Sequence, residues 1–148
     1  MRNISEVDND ILIRTVDFNE DYDTLVQLWA NAGPGVHLGR SDQKEELLKK
    51  VRRDPDLFLA AETMGIIIGA VLGGYDGRRG LVYHLAVAPD FRRRGVAWAL
   101  MDELESRMKK KGCVKYYLLV TRDNIDALEF YKQYGCDVMD LNVLGKEI

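Results

Sequence analysis

Between Leu85 and Ala97 the chain reads Leu-Ala-Val-Ala-Pro-Asp-Phe-Arg-Arg-Arg-Gly-Val-Ala, and this stretch gathers residues suited to holding an anion. An apolar run leads into a loop bearing Arg92, Arg93 and Arg94, and Gly95 then opens a helical pattern. At a helix start several backbone N–H groups lack an intrahelical partner and lie at the positive end of the helix dipole. Gly95 has no Cβ to obstruct a phosphate, Ala97 keeps the next turn slim, and the guanidinium groups can offer paired donors. That is more than one phosphate can use. A pyrophosphate with a further phosphate nearby would engage all of it, whereas the plain alternative is a solvated, charged turn.

Competing motifs fail on spacing. There is no G-x-x-x-x-G-K-[ST], and no G-x-G-x-x-G follows the first strand, so neither a P-loop nor a dinucleotide-binding Rossmann site is supported. The two histidines, His37 and His84, make no cluster, and neither Cys113 nor Cys136 has a partner at metal-ligand spacing, so no metal site is expected. Both cysteines read as small apolar residues packed beside strands.

The elements that must position this loop follow from periodicity. Asp10–Val16 is a β-branched run that reads as a first strand. Leu25, Leu28, Trp29 and Ala32 recur at helical spacing behind a cap near Asn19 or Asp21, and Gly33-Pro34-Gly35 ends that helix. Ser41 can cap a second helix carrying Leu47, Leu48 and Val51, stopped before Pro55. Leu57–Glu62, Gly65–Tyr75 and Leu81–Val87 read as three strands joined by tight turns, an antiparallel meander. A helical stripe, Ala97, Leu100, Met101, Leu104 and Met108, then runs to Lys111, with Gly112 beyond its end. A strand (Tyr116–Val120), a helix (Asn124–Tyr134) and one or two short strands from Cys136 to Lys146 complete the chain. The order β-α-α-β-β-β-α-β-α-β(-β) is an α/β fold with a mixed, mostly antiparallel sheet flanked by helices.

Composition sets the frame. The 148 residues read as one globular domain, 1–148, with 47% hydrophobic residues, enough for a sizeable core. Twenty-one basic against 24 acidic residues give a net charge of −3, which argues against a surface built to hold nucleic acid. No apolar run approaches the ~20 residues of a membrane span, and Met1–Asn9 is polar, unlike a secretory signal. A cytoplasmic protein with reduced cysteines is expected, with no nucleic-acid or membrane partner. A homodimer stays open.

Leu85-Ala-Val87 followed by Pro89 and Arg92-x-x-Gly95-x-Ala97 resembles the acetyl-CoA signature of the GNAT (GCN5-related N-acetyltransferase) superfamily, whose pattern is [QR]-x-x-G-x-[GA]. Thr121-Arg-Asp-Asn124, then Ala127, Phe130-Tyr131 and Tyr134-Gly135, is similar to that family's second half, and the compact length resembles its small stand-alone bacterial members. The resemblance implies acetyl-CoA as co-substrate and a primary amine of a small molecule, peptide or protein as acceptor, with direct transfer in a ternary complex. It implies that Leu85, Ala86 and Val87 offer main-chain groups to the pantetheine arm, with the Val87 N–H near the thioester carbonyl. Arg92, Arg93, Arg94, Gly95, Val96 and Ala97 would hold the pyrophosphate. Asn124 would contact the arm or its surroundings, and Tyr131 would protonate the departing thiolate; apart from the resemblance, Tyr131 reads as a core aromatic of an amphipathic helix.

The general base departs from the family pattern. The strand positions that carry Glu in relatives correspond to Leu81 and Leu119. Strict alternation puts Leu81, Tyr83, Leu85 and Val87 on one face of their strand and Val82, His84 and Ala86 on the other, so a cleft lined by Tyr83 would not be lined by His84. An imidazole suits a base chemically, yet a lone strand histidine also reads as a half-buried structural residue. His37, Trp29, Tyr75 and Tyr83, with Arg40 and Asp76, are candidate acceptor contacts. Two rival readings remain at this level: a CoA-binding or interaction module without catalysis, and nucleic-acid binding through Arg92–Arg94 and Lys109–Lys111. The second is disfavoured by the acidic total and by the helix that separates the two clusters.

Overall fold

The computed structural model describes residues 10–33, 36 and 38–148. Five strands, β1 (Leu12–Thr15), β2 (Phe58–Thr63), β3 (Ile66–Tyr75), β4 (Gly80–Val87) and β5 (Tyr116–Leu118), form one sheet in sequential order. The first four are antiparallel, and β5 joins β4 in parallel. That parallel step needs a crossover, supplied by helix α3 (Val96–Lys110). Helices α1 (Phe18–Ala30) and α2 (Lys44–Arg53) intervene between β1 and β2, and α4 (Ile125–Tyr134) follows β5.

Alternation in the strands sorts the apolar side chains to two faces. Leu57, Leu59, Ile68, Val71 and Val82 meet Val96, Leu100, Leu104 and Met108 of α3 on one side. Phe58, Ala60, Ala70, Leu72 and Ala86 meet Leu25, Leu28, Trp29 and Leu47 of α1 and α2 on the other. Each fully buried large side chain contributes about 1.5–3 kcal/mol of transfer free energy, so the sheet is held from both faces.

Several element ends differ from the sequence expectation for local reasons. Helix α1 is capped by Asp17, whose carboxylate accepts the Glu20 N–H, and not by Asn19 or Asp21. Asp21 is instead buried, accepting from Nη1 and Nη2 of Arg14 and from the Asp17 N–H. Ser41 lies within a 3₁₀ turn, Arg40–Asp42, and α2 starts after Gln43. Of the Gly33-Pro34-Gly35 stop, Pro34 and Gly35 lie outside the described residues. The strands expected from Cys136 to Lys146 do not form. That segment is irregular, with Val138, Leu141, Val143 and Leu144 exposed. Asp137, Asp140, Asn142 and Gly145 are poor strand residues, and a three-residue β5 offers few ladder groups for them to join.

Candidate active site

Strand β4 has an irregularity at its centre. Leu72 pairs with Tyr83 and Ala70 with Ala86, so His84 and Leu85 together oppose the single residue Val71. This is a β-bulge, and His84 takes the rare positive φ of 42° that accommodates the extra residue. The bulge overturns the alternation expected from sequence. Tyr83, opposite Leu72, already faces α1 and α2, and His84 faces the same way, against Trp29 and Asp42. Leu85 and Val87 face α3 instead.

Beyond the bulge β4 loses one neighbour. Its ladder with β5 covers only Gly80–Val82 against Tyr116–Leu118, so from Tyr83 to Val87 no described strand pairs with that edge. The Ala88 N–H donates to Ile68 O on β3 (2.8 Å), which turns the Val87 N–H and carbonyl to the open edge. By the same alternation the Leu85 N–H lies on that edge, about 7 Å away. A narrow gap with outward-facing amides therefore opens between the diverging strands.

The gap runs into the arginine loop. Pro89–Phe91 forms a 3₁₀ turn; Arg93 (φ 63°) and Gly95 (φ 81°) then adopt left-handed conformations before α3 begins. Alternating handedness of this kind brings successive N–H groups round to one concave side. Gly95 is the N-cap and supplies no side chain, so the first N–H groups of α3, from Val96 and Ala97 onward, have no side-chain cap. The three arginines differ in employment. Arg92 Nε donates to Val87 O (3.2 Å) and Nη2 to Ala32 O (2.9 Å), bracing the end of β4 against the end of α1. The Arg94 guanidinium lies 5.2 Å from the Phe91 ring centroid. Arg93 and Arg94 are exposed at the loop.

Asn124 is the N-cap of α4, its Oδ1 accepting the Ala127 N–H (3.2 Å), which leaves its amide nitrogen for another partner. Tyr131, one of the expected chemical residues, is 9% exposed within the α3-side core, its ring 5.2 Å from Phe130. Burial, and secondarily the neighbouring Cys136, push its phenol well above the ordinary tyrosine value. A cavity of about 1230 Å³ lies between β5, α4 and the C-terminal segment. Tyr131 stands in its wall, but no residue from Leu85 to Ala97 does. The cavity is therefore not the gap beside β4.

The expected acceptor contacts scatter. Trp29 is 2% exposed and stacks on Phe58, so it backs the site from the core and does not reach solvent. Tyr75 pairs with Gly80 at the far end of β4, its hydroxyl donating to Gly77 O, and Asp76 holds the same turn through the Arg78 and Arg79 N–H groups. Arg40 lies in the 3₁₀ turn before α2. Tyr83 is partly exposed on the α1/α2 face, and burial of its ring raises its phenol. His37 lies outside the described residues. Sequence reasoning missed Asp42. Its Oδ1 lies 2.5 Å from His84 Nε2, and its Oδ2 accepts the Gly39 N–H at 2.8 Å. The two partners stand 42 positions apart in the sequence, which leaves no local signal.

Comparison with known proteins places this geometry. The family model described as acetyltransferase (GNAT) matches residues 22–136. An acetyltransferase of Pectobacterium atrosepticum is 39% identical over 129 residues, covering 87% of this chain and 90% of that protein. An acetyltransferase of Yersinia enterocolitica is 38% identical over 128 residues, covering 86% and 89%. Among solved structures, the PaiA N-acetyltransferase of Thermoplasma acidophilum, determined in complex with coenzyme A, superposes with a TM-score of 0.76 at 25% identity, covering 89% of this chain and 92% of that one. With its sheet splayed beside β4 and a glycine-capped helix following, the chain belongs to the GNAT family of acetyltransferases.

Proposed function

We propose that the protein is an acetyl-CoA-dependent N-acetyltransferase that moves the acetyl group directly to a primary amine. The observation that carries this reading is the open edge of β4 from Tyr83 to Val87, continuous with the left-handed loop and the uncapped start of α3. A pantetheine arm is an extended chain of amides and can add to such an edge as a strand would. The main-chain N–H groups from Gly95 to Ala97, with Arg93 and Arg94, suit its pyrophosphate. Arg92 supports the cradle from behind through Val87 and Ala32.

Bound there, acetyl-CoA supplies an activated acetyl thioester. The Val87 and Leu85 amides share the open edge, so this pair, and not Val87 alone, is read as the donor set for the thioester carbonyl and the adjoining arm. An amide fixed on a strand stabilises negative charge developing on that carbonyl oxygen without having to reorganise. Tyr131 gives the departing sulfur its proton, a role that suits a phenol kept protonated by burial. Asn124 holds the start of α4, which carries Tyr131. The free thiols of Cys113 and Cys136 fit a reducing cytoplasm.

Incubation with acetyl-CoA and a panel of amines, peptides and proteins should release free thiol in step with acetylated product. A protein that binds acetyl-CoA tightly and acetylates no member of the panel would overturn the catalytic reading in favour of a CoA-binding module.

A further inference from the structure

We propose that His84, oriented by Asp42, is the base that takes the proton from the acceptor's ammonium. The inference rests on the acetyltransferase reading and adds the proton acceptor missing from it, since β4 from Gly80 to Val87 carries no carboxylate.

Three constraints fix the imidazole. Its Nε2 lies 2.5 Å from Asp42 Oδ1, its ring centroid lies 5.4 Å from that of Trp29 at 57°, and its backbone is locked by the bulge at φ 42°. Asp42 is itself held, its other oxygen accepting the Gly39 N–H. A carboxylate on Nε2 selects the tautomer in which Nε2–H donates to Asp42, which leaves Nδ1 with a lone pair as the proton acceptor. Nδ1 is the ring nitrogen nearer the backbone, and the next residue along that backbone is Leu85, whose amide faces the gap. The side chains of His84 and Asp42 are 17% and 11% exposed, so the pair is shielded yet reachable. The positive φ belongs to the bulge, and it is what turns the imidazole to the same side as Tyr83, against Trp29 and Asp42.

The protons balance. The ammonium nitrogen gives one proton to Nδ1, and its freed lone pair forms the N–C bond to the acetyl carbon while the C–S bond breaks. The second proton leaves that nitrogen as the amide forms and offsets the one that Tyr131 delivers to sulfur. The imidazolium then releases its proton to solvent, so one proton is produced per acetyl transferred. His84 is thus assigned as a catalytic residue and Asp42 as a positioning residue.

The test uses the full chain, with His84→Gln and Asp42→Asn variants, and two primary amines acetylated by the wild type. One is an alkylamine protonated at the assay pH; the other is an alkoxyamine largely neutral there. His84→Gln should lower kcat on the alkylamine about 100-fold or more, lower it far less on the alkoxyamine, and leave KM for acetyl-CoA and the thermal midpoint near wild type. Asp42→Asn should show the same selective loss, about 10-fold, because it misorients a base that is still present. If His84→Gln proves unstable, the Asp42→Asn selectivity decides. Equal losses on the two amines, or less than a threefold loss on the alkylamine, overturn the assignment while leaving the acetyltransferase reading intact. A wild type that binds acetyl-CoA and acetylates nothing overturns both.

Discussion

Tyr131 and its neighbours show how one residue type serves two masters. Its ring belongs to the core, packed with Phe130 beneath α3, and the same burial that stabilises the helix raises the phenol so that it stays protonated. Tyr131→Phe keeps the ring and removes only the hydroxyl. Turnover should therefore fall about 100-fold or more, while acetyl-CoA affinity, read by calorimetry, stays within about twofold; an unchanged kcat would remove Tyr131 from the mechanism. Asp21 carries a different prediction. Its carboxylate accepts from Arg14, which is the main reason it titrates below the usual carboxylate range, with burial opposing. A lowered native pKa stabilises the fold above the unfolded value near ~3.9 and loses that contribution as pH falls through the native value. Asp21→Asn should thus be less stable than wild type by about 1–3 kcal/mol at neutral pH in urea titrations, with the difference closing below about pH 4. A gap that persisted into acid would mean that packing, not the ion pair, was lost. At this scale the sequence is uneven as a guide. The residue types of the arginine loop announce an anion site, but nothing in Asp21 or Asp42 distinguishes a buried partner from a surface acid until the fold brings Arg14 or His84 to it.

Elements were more legible than their irregularities. Period-2 and period-3.6 patterns locate four helices and five strands because core burial imposes those periods. The bulge escapes notice because His84 and Leu85 are ordinary strand residues, and the positive φ that a glycine would have signalled falls on a histidine. That single extra residue reversed the expected pairing of faces and put Tyr83 and His84 on one side. The tail misled in the other direction: its apolar residues suggest strands, but strand formation depends on a partner edge that no local pattern encodes. The gap itself depends on where β4 and β5 part, past Val82 and Leu118, and Gly80 anchors their short ladder at its other end. A Cβ there would stand 2.8 Å from Tyr116 Cβ and 3.1 Å from Cys113 Sγ. Neither is the loose end of a long side chain, so β5 must move. Gly80→Ala should cost about 1–3 kcal/mol in denaturant titrations and weaken acetyl-CoA binding by widening the splay. A variant as stable as wild type would show that β5 is free to shift without cost.

On the scale of the whole molecule the question is which charge a multiply anionic ligand feels. The net charge of −3 repels it, whereas Arg93, Arg94 and the first N–H groups of α3 attract it. The two effects differ in range, and therefore in how added salt acts. Repulsion by the whole surface acts across many ångströms and is screened first, at a Debye length of about 10 Å in 0.1 M salt. Attraction within the cradle acts at contact, yet the exposed guanidinium groups are also screened as the length shrinks to about 3 Å at 1 M. If the net charge ruled, affinity for acetyl-CoA would rise with salt. The local cradle predicts the opposite sign, a dissociation constant that grows several-fold between about 0.05 and 0.5 M sodium chloride. S-acetylpantetheine, which keeps the thioester arm and lacks every phosphate, should bind more weakly and show almost no salt dependence, because it meets only the β4 edge. Equal salt slopes for the two ligands would place the phosphates away from Gly95 and return the arginine loop to the role of a solvated turn.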